Sequence, residues 1–438
     1  MRFRRTFTTA SAIGVMLSSL MSVSHADDMV ITFQGTIDPM FGIAGNYHYG
    51  LMTECGYKHV SEQCNSQPAS GRAYGAWFDG PINPYKYGSE TYFQIPHSQN
   101  YRIKVTGNNW GTRHLWTIEP NNTVNGATIT PADSDVEQSH YQMRNWIYSP
   151  YVQYPNIYGL THHEWYPFRT SVNGIPFLED GRTTVWGLGW ISSADGGNTW
   201  SMNPINYSAP SNSNRMVMIP EPWNASLPFN YGFAHPSNIV KEGMYYYAFM
   251  TNASQKTNGQ LALGVSLIRT SNLASSSGWQ YWNGSGWTTV SQGTYQGNGG
   301  PQQPYIFWES TNACTHLYAH NVRKHAVSGK WIVLGADYCS GWDEHKNIAG
   351  KAVYTWIDSL ANPVTLDKTA SNLPRLPKVI PPVGNYIPFN AYYSFFDVSG
   401  SQNVGDNFEV VNNTPLFTAI NPEKNTILHQ FLNISYTP

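Results

Sequence analysis

The chain has 438 residues, a formal net charge of −2, and 12% charged residues, about half the usual share of roughly 25%. Aromatics make up 14%, with 16 Trp and 29 Tyr, alongside 38 glycines and 28 prolines. This mixture argues against a helical bundle and points to many short strands joined by tight turns, and a mildly negative charge argues against nucleic acid or an anionic membrane as partner. At this length a single core requires a large closed or repetitive fold.

Residues 1–26 read as an export signal. Arg2, Arg4 and Arg5 form a basic start, residues 8–23 are mildly apolar, and Ser24-His25-Ala26 ends on a small residue suited to cleavage. Arg4-Arg5-Thr6-Phe7 is similar to a twin-arginine signal, but the basic region is short and an ordinary Sec signal is the simpler reading. Removing it takes away three positive charges and no negative ones, moving the net charge from −2 to −5. The expected location is the periplasm or the exterior, with residues 27–438 as one domain. No later stretch is apolar and long enough to span a bilayer.

The four cysteines are Cys55, Cys64, Cys314 and Cys339. In an exported chain an even count implies disulfides, and three connectivities are open. Neighbour pairing, Cys55–Cys64 and Cys314–Cys339, closes one local loop each. The absence of any CxxC spacing argues against a zinc site.

In chain order, residues 29–33 read as a short strand, followed by Asp38-Pro39 and a strand-turn-strand unit through Gly45 and Tyr47. Residues 92–105 give a strand pair and residues 114–118 a further strand, and residues 121–137 are a polar connector. Residues 146–152 and 157–160 make two aromatic-rich strands around a turn at Pro155-Asn156. The second runs into Thr161-His162-His163-Glu164-Trp165-Tyr166. In extended chain His162 and Glu164 share one face and His163 takes the other. That makes a site of His162 and Glu164, where strand ends expose rigidly held side chains.

Residues 184–191 are a strand, and Ser193-Ala194-Asp195-Gly196-Gly197-Asn198-Thr199-Trp200 follows. This run resembles the Asp box of sialidases and other β-propellers. It is a turn in which Asp195 accepts backbone N–H groups, Gly197 takes a positive φ and Trp200 packs beneath. It is structural, and Asp195 is assigned no catalytic role.

Residues 231–240, 244–251 and 263–269 continue the strand cadence, then Thr270-Ser271-Asn272-Leu273 and Trp279. Here the sequence resembles propeller glycosidases of the arabinanase and β-xylosidase type. Their blades open on D-P-S, turn at a Gly, run through a Tyr-rich strand and close on R-S-x-D-L and a Trp. The same cadence stands at Asp38-Pro39 and, more loosely, at Ser149-Pro150. Residues 305–308, 317–320, 331–335, 353–357 and 392–397 extend it, and residues 408–411, 416–419 and 427–432 supply one more blade. The resemblance implies an all-β propeller of five blades, with six or seven as alternatives, its ring closed by pairing of the N- and C-terminal strands.

It also implies roles. Asp38 matches the first-blade acid that serves as general base in that family. Glu164, among His163, Trp165 and Tyr166, is the candidate general acid, with a carboxyl raised by desolvation. His235 stands where the family shows an Asp, so it serves as hydrogen-bond donor, as ligand of an axial divalent ion such as calcium, or as base. His48 and His345 are further axial candidates. Trp165, Tyr166, Tyr246, Glu309 and Arg169 are candidate substrate contacts, because aromatic faces stack on the apolar faces of sugars. No metal site or cofactor is assigned, and the axial divalent ion is the one candidate.

The leading expectation is a monomeric glycoside hydrolase that uses paired carboxylates on a polysaccharide or oligosaccharide. A propeller polysaccharide lyase is the alternative, with His162, His235, Tyr246 and Arg144 or Arg169 acting on a uronate. A non-catalytic sugar-binding propeller is the third. Peptide mapping without reduction should return Cys55–Cys64 and Cys314–Cys339, and loss of either link should cost about 2–4 kcal/mol. A Cys55–Cys314 peptide would exclude this pairing.

Overall fold

In the computed structural model the described residues are 28–39, 80–96, 100, 102–106, 115–119, 123–124, 127–128, 145–165, 169–172, 175–178, 184–202, 215–220, 224, 226, 230–255, 261–290, 304–308, 317–337, 351–366, 376, 391–398, 405–421 and 426–438. Among them the protein is all-β. The only helical element is a 3-10 turn at Pro363–Leu366, and no helix is long and apolar enough to cross a membrane. The signal segment and all four cysteines lie outside the described residues.

Among the described residues the strands form six sheets. Arg169–Val172 with Ile175–Leu178, and Thr123–Val124 with Ala127–Thr128 and Thr199–Trp200, form two small sheets apart. The longer strands can be taken in chain order as five largely antiparallel groups, of which the second and third belong to one ten-stranded sheet. The first is Asn83–Tyr87, Glu90–Gln94, Arg102–Thr106 and Leu115–Glu119. The second is Trp146–Gln153, Asn156–Trp165 and Val185–Ser193, edged by Met216–Met218. In the third, Tyr231–Ala234 and Val240–Glu242 both pair with Tyr245–Gln255, followed by Leu261–Thr270, Gln280–Trp282 and Trp287–Thr289. The fourth is Leu317–His325, Trp331–Asp337 and Lys351–Ile357. The fifth is Ala391–Phe396, Leu416–Asn421 and Thr426–Thr437, completed by the N-terminal strand Asp28–Pro39. The first and last strands of the chain thus pair antiparallel, from Asp28 opposite Thr437 to Pro39 opposite Leu428.

The apolar cores lie between groups that follow one another in sequence. Tyr85 and Tyr92 of the first pack on Ile147, Ile157 and Ile191 of the second. Leu160, Leu188 and Trp190 meet Phe233, Ala248 and Met250 of the third. Phe249, Val265 and Leu267 meet Val322, Trp331 and Val333 of the fourth. Ile332 and Leu334 meet Phe395, Phe417 and Leu432 of the fifth. Phe396 of the fifth then packs, its ring tilted by 46°, at 5.3 Å from Phe93 of the first. A sheet covered on both faces needs apolar side chains at every position rather than at alternate ones. Trp146–Gln153 is accordingly buried at every position but its last.

The leading strands of neighbouring groups are joined by side chains. Asn83 donates to the Tyr148 carbonyl at 2.5 Å, and Ser149 donates to the Ser237 carbonyl. Asn238 donates to the Val322 carbonyl at 2.9 Å and accepts from its N–H at 2.7 Å. Arg323 donates through Nε to the Phe395 carbonyl at 3.1 Å. Asn321 reaches back to Asn83 at 3.2 Å, from the fourth group to the first.

Three expectations are corrected. Asn83–Tyr87, the leading strand of the first group, was not foreseen, because Asn83 and Pro84 are poor strand formers. Asp38, matched to the first-blade acid of the resembling family, does not stand on a leading strand. It lies instead near the end of Asp28–Pro39, opposite His429, on the edge of its sheet farthest from Ala391–Phe396. Residues 408–411 do not join the fifth group. Val410 and Val411 pair in parallel with Lys324 and His325 of the fourth.

In the turn after Val185–Ser193, Asp195 accepts from the Thr199 backbone N–H at 2.9 Å and the Thr199 hydroxyl at 2.6 Å, and the Ser193 hydroxyl donates to it at 2.8 Å. Gly197 has φ 89°, and Trp200 is fully buried below. Partial burial pushes the Asp195 carboxyl up, but the bonds from Thr199 and Ser193 outweigh it and hold it below the usual range. A carboxyl whose folded value is depressed adds stability above its unfolded value, about 3.9, and loses it as the pH falls. Asp195→Ala should cost about 0.5–2 kcal/mol at neutral pH. The deficit against wild type should shrink as unfolding is measured from pH 5 down to pH 2.5, and a deficit independent of pH would contradict this.

Candidate active site

The ladder of Asn156–Trp165 continues past Leu160, where the sequence suggested a strand end. Val185–Ser193 pairs with it from Ile157 to Trp165, so the Thr161-His162-His163-Glu164 run is held in extended backbone. The alternation follows as expected. His163 Nε2 lies 2.7 Å from Thr161 Oγ1 on one face, packed over Gly189, where a Cβ would meet Nε2 at 2.2 Å. His162 Nε2 lies 3.2 Å from Glu164 Oε1 on the other.

His162 is the centre of an aromatic cluster drawn from three groups. His235, at the head of the third, stacks on it at 4.5 Å with 21° between the rings. Trp146 lies at 5.2 Å, Tyr148 at 5.9 Å and Trp186 at 6.4 Å. Tyr318 of the fourth group meets the His235 ring edge-on at 4.6 Å. His235 has φ 45°, a left-handed conformation that a residue with a Cβ rarely adopts and that concentrates at functional sites.

Burial orders these groups. His162 and Tyr148 are fully enclosed, His235 and Tyr318 each retain 8% exposure, and the Glu164 side chain retains 13%. Glu164 is therefore the polar group of the cluster nearest solvent, and His162 stands behind it. His162 Nδ1 is buried with no hydrogen-bond partner among the described residues, a state that native structures rarely leave without a role.

His162, Glu164 and His235 are thus brought together. Tyr246 is not. It packs edge-on to Tyr151 at 5.3 Å, with Lys241 over its ring, several residues along the strands from His162. Asp38 stands on the far edge strand described above, and its side chain, like those of Trp165 and Arg169, lies outside the described residues. So do Tyr166, Glu309, Arg144, His48 and His345. No cluster of three or more His, Cys, Asp or Glu suited to a metal ion occurs among the described residues. Sequence reasoning missed Tyr148, Trp186 and Tyr318. The signal for Tyr148 was the cadence itself, since Tyr148 precedes Ser149-Pro150 as His235 precedes Pro236-Ser237.

No protein family matches the sequence, and no curated protein does. Solved structures do. The catalytic domain of a Coprinopsis cinerea GH62 alpha-L-arabinofuranosidase is 9% identical, covering 91% of this chain and 97% of its own, at a TM-score of 0.44. A Podospora anserina alpha-L-arabinofuranosidase in complex with cellotriose is 9% identical over 92% and 97%, at 0.41. A Cellvibrio cellulosa alpha-L-arabinanase is 9% identical over 81% and 91%, at 0.38. These are glycosidases of the kind the blade cadence resembles. At such identity and TM-score their chemistry says nothing of the side chains here.

Trp186 owes its place beside His235 to a close approach. Val185 and Trp186 pair in parallel with Tyr231 and Gly232, joining the second and third groups, and a Cβ on Gly232 would stand 2.1 Å from the Trp186 carbonyl oxygen. Gly232, at φ 119°, is the residue that permits it. Gly232→Ala should destabilise the protein by at least about 2 kcal/mol in denaturant titration. A variant with wild-type stability would show that the two sheets separate there freely.

Proposed function

We propose that the chain is an exported carbohydrate-active enzyme. It is a five-bladed β-propeller with its ring closed by the first and last strands, and it hydrolyses glycosidic bonds of a polysaccharide or oligosaccharide, with Glu164 as the proton-donating carboxyl. The observation that carries this reading is the order of the cluster from solvent inward, with Glu164 in front and His162 enclosed behind it. A sugar approaching the cluster meets the carboxyl before the imidazole. His162 is then a positioning residue, holding the carboxyl through Nε2, while the rings around it exclude water and strengthen that interaction.

Hydrolysis needs a second carboxylate, at about 5–5.5 Å for retention or 6.5–9.5 Å for inversion. The cluster holds only one among the described residues. The sequence offered Asp38 for the second, but Asp38 stands on an edge strand; Glu309, read from the sequence as a substrate contact and directly after Trp308, takes that role in this proposal.

A second reading is favoured by one contact. His235 and Tyr318 touch at the rim of the cluster, and such a pair suits a lyase that removes the proton beside a uronate carboxylate. Product chemistry on a polysaccharide panel separates the readings. New reducing ends on saturated products mean hydrolysis, and an unsaturated uronate means elimination. Retained binding without products means a sugar-binding protein. Under hydrolysis, Glu164→Gln and Glu309→Gln should each lower kcat at least ~10²-fold with unchanged melting. His162→Ala should lower it less and move a limb of the pH profile, because it acts through Glu164. Full activity in Glu164→Gln would overturn the assignment.

A further inference from the structure

The segment 405–411 lies between two strands of the fifth group yet bonds to the other four. The Lys86 N–H of the first donates to the Asp406 carbonyl at 2.7 Å. The Val152 N–H of the second donates to Asn407 Oδ1 at 2.6 Å, and Asn407 Nδ2 returns a bond to the Val152 carbonyl at 3.0 Å. The Lys241 N–H of the third donates to Glu409 Oε1 at 2.5 Å. The Lys324 N–H of the fourth donates to the Glu409 carbonyl at 2.8 Å. Tyr151 donates to Glu409 Oε2 at 3.2 Å, and Arg323, buried, donates to the Asn407 carbonyl at 3.1 Å. Between these contacts Phe408 is buried against Phe396, with Lys86 over its ring.

These bonds fall at one end of the leading strands. On Trp146–Gln153, Trp146 stands opposite His162, while Val152, about 20 Å further along at roughly 3.3 Å per residue, meets Asn407. Likewise His235 precedes Lys241 and Tyr318 precedes Lys324, so the histidine cluster sits at the opposite end. We infer that residues 405–411 form a strap across the axis that ties the leading strands of four groups to the fifth. The strap shuts the axial channel at the end away from Glu164, so that substrate enters from the Glu164 end alone.

The inference rests on the propeller reading, and its test needs no sugar, so it stands or falls apart from catalysis. Amide hydrogen exchange is measured on the full chain and on Asn407→Ala. If the strap is one unit, the amides of Lys86, Val152, Lys241 and Lys324 exchange at least ~10-fold faster together, while the Ile147 amide, bonded to Asn100 Oδ1 at 2.6 Å near the histidine end, is unchanged. Acceleration of Val152 alone would overturn the proposal, as would an equal rise at Ile147. Should Asn407→Ala fail to fold, Asn407→Asp keeps the Oδ1 acceptor, loses only the Nδ2 donor, and is judged by the same amides.

Discussion

The structure depends on how the leading strand of each group is held to the next. A strand at the edge of a sheet presents unpaired backbone groups on its free side. Among the described residues short ladders join these edges in two places, where Tyr231 and Gly232 pair with Val185 and Trp186 and where Lys324 and His325 pair with Val410 and Val411, and single side chains supply the other joints. Asn83, Ser149, Asn238 and Arg323 each stand on or beside a leading strand and bond backbone in the following group. Each bond contributes about 0.5–1.5 kcal/mol, but leaving a buried partner unmade costs about 1–3 kcal/mol. The chain therefore keeps Asn, Ser and Arg at positions that a two-sided apolar sheet would otherwise fill with Val or Ile.

This arrangement explains the site. Once the heads of the second, third and fourth groups are fixed side by side, the residues there must share the space between them. His162, His235, Tyr148 and Tyr318 are all ring-bearing, and planar rings fill that space by stacking and edge contacts. The left-handed backbone of His235 is tolerated because Pro236 and Ser237 are bonded on to Ser149 just beyond it. The strain is thus borne by the same inter-strand bond that aligns the second group with the third.

Much of this was legible in the sequence. The alternation that puts His162 with Glu164 and His163 with Thr161 follows from extended backbone alone. The aromatic, charge-poor composition gave the all-β architecture, and the Ser193–Trp200 turn was readable from Asp195, Gly197 and Trp200. What failed was the assignment of strands to sheets. Asp38-Pro39 and Asn83-Pro84 carry nearly the same local pattern, yet one ends an edge strand and the other opens a leading strand. Local pattern states that a strand begins or ends, not which neighbour it finds. Residues 408–411 failed for the same reason. Val410-Val411 reads as a strand, and its partner in the fourth group is 86 residues upstream by the Lys324–Val410 pairing.

The two ends of the leading strands are built from different chemistry, and the difference follows from what each must satisfy. At the far end the free backbone N–H groups need acceptors, and residues 406–409 supply two carbonyls, an amide oxygen and a carboxylate. Burial pushes the Glu409 carboxyl up against the opposing effect of the bonds from Lys241 and Tyr151 and the charge of Arg323. Burial likewise pushes Arg323 down to about 9, which leaves it a cation at neutral pH. Buried charge of this kind is a poor source of stability compared with apolar packing, and its use here is to fix geometry. At the other end His162 Nδ1 is buried without a hydrogen-bond partner among the described residues. Among the described residues the strap end carries an unmet donor as well, Arg323 Nη2, so the two ends differ in kind rather than in saturation: backbone bonds gathered by residues 406–409 at one, rings packed around His162 at the other.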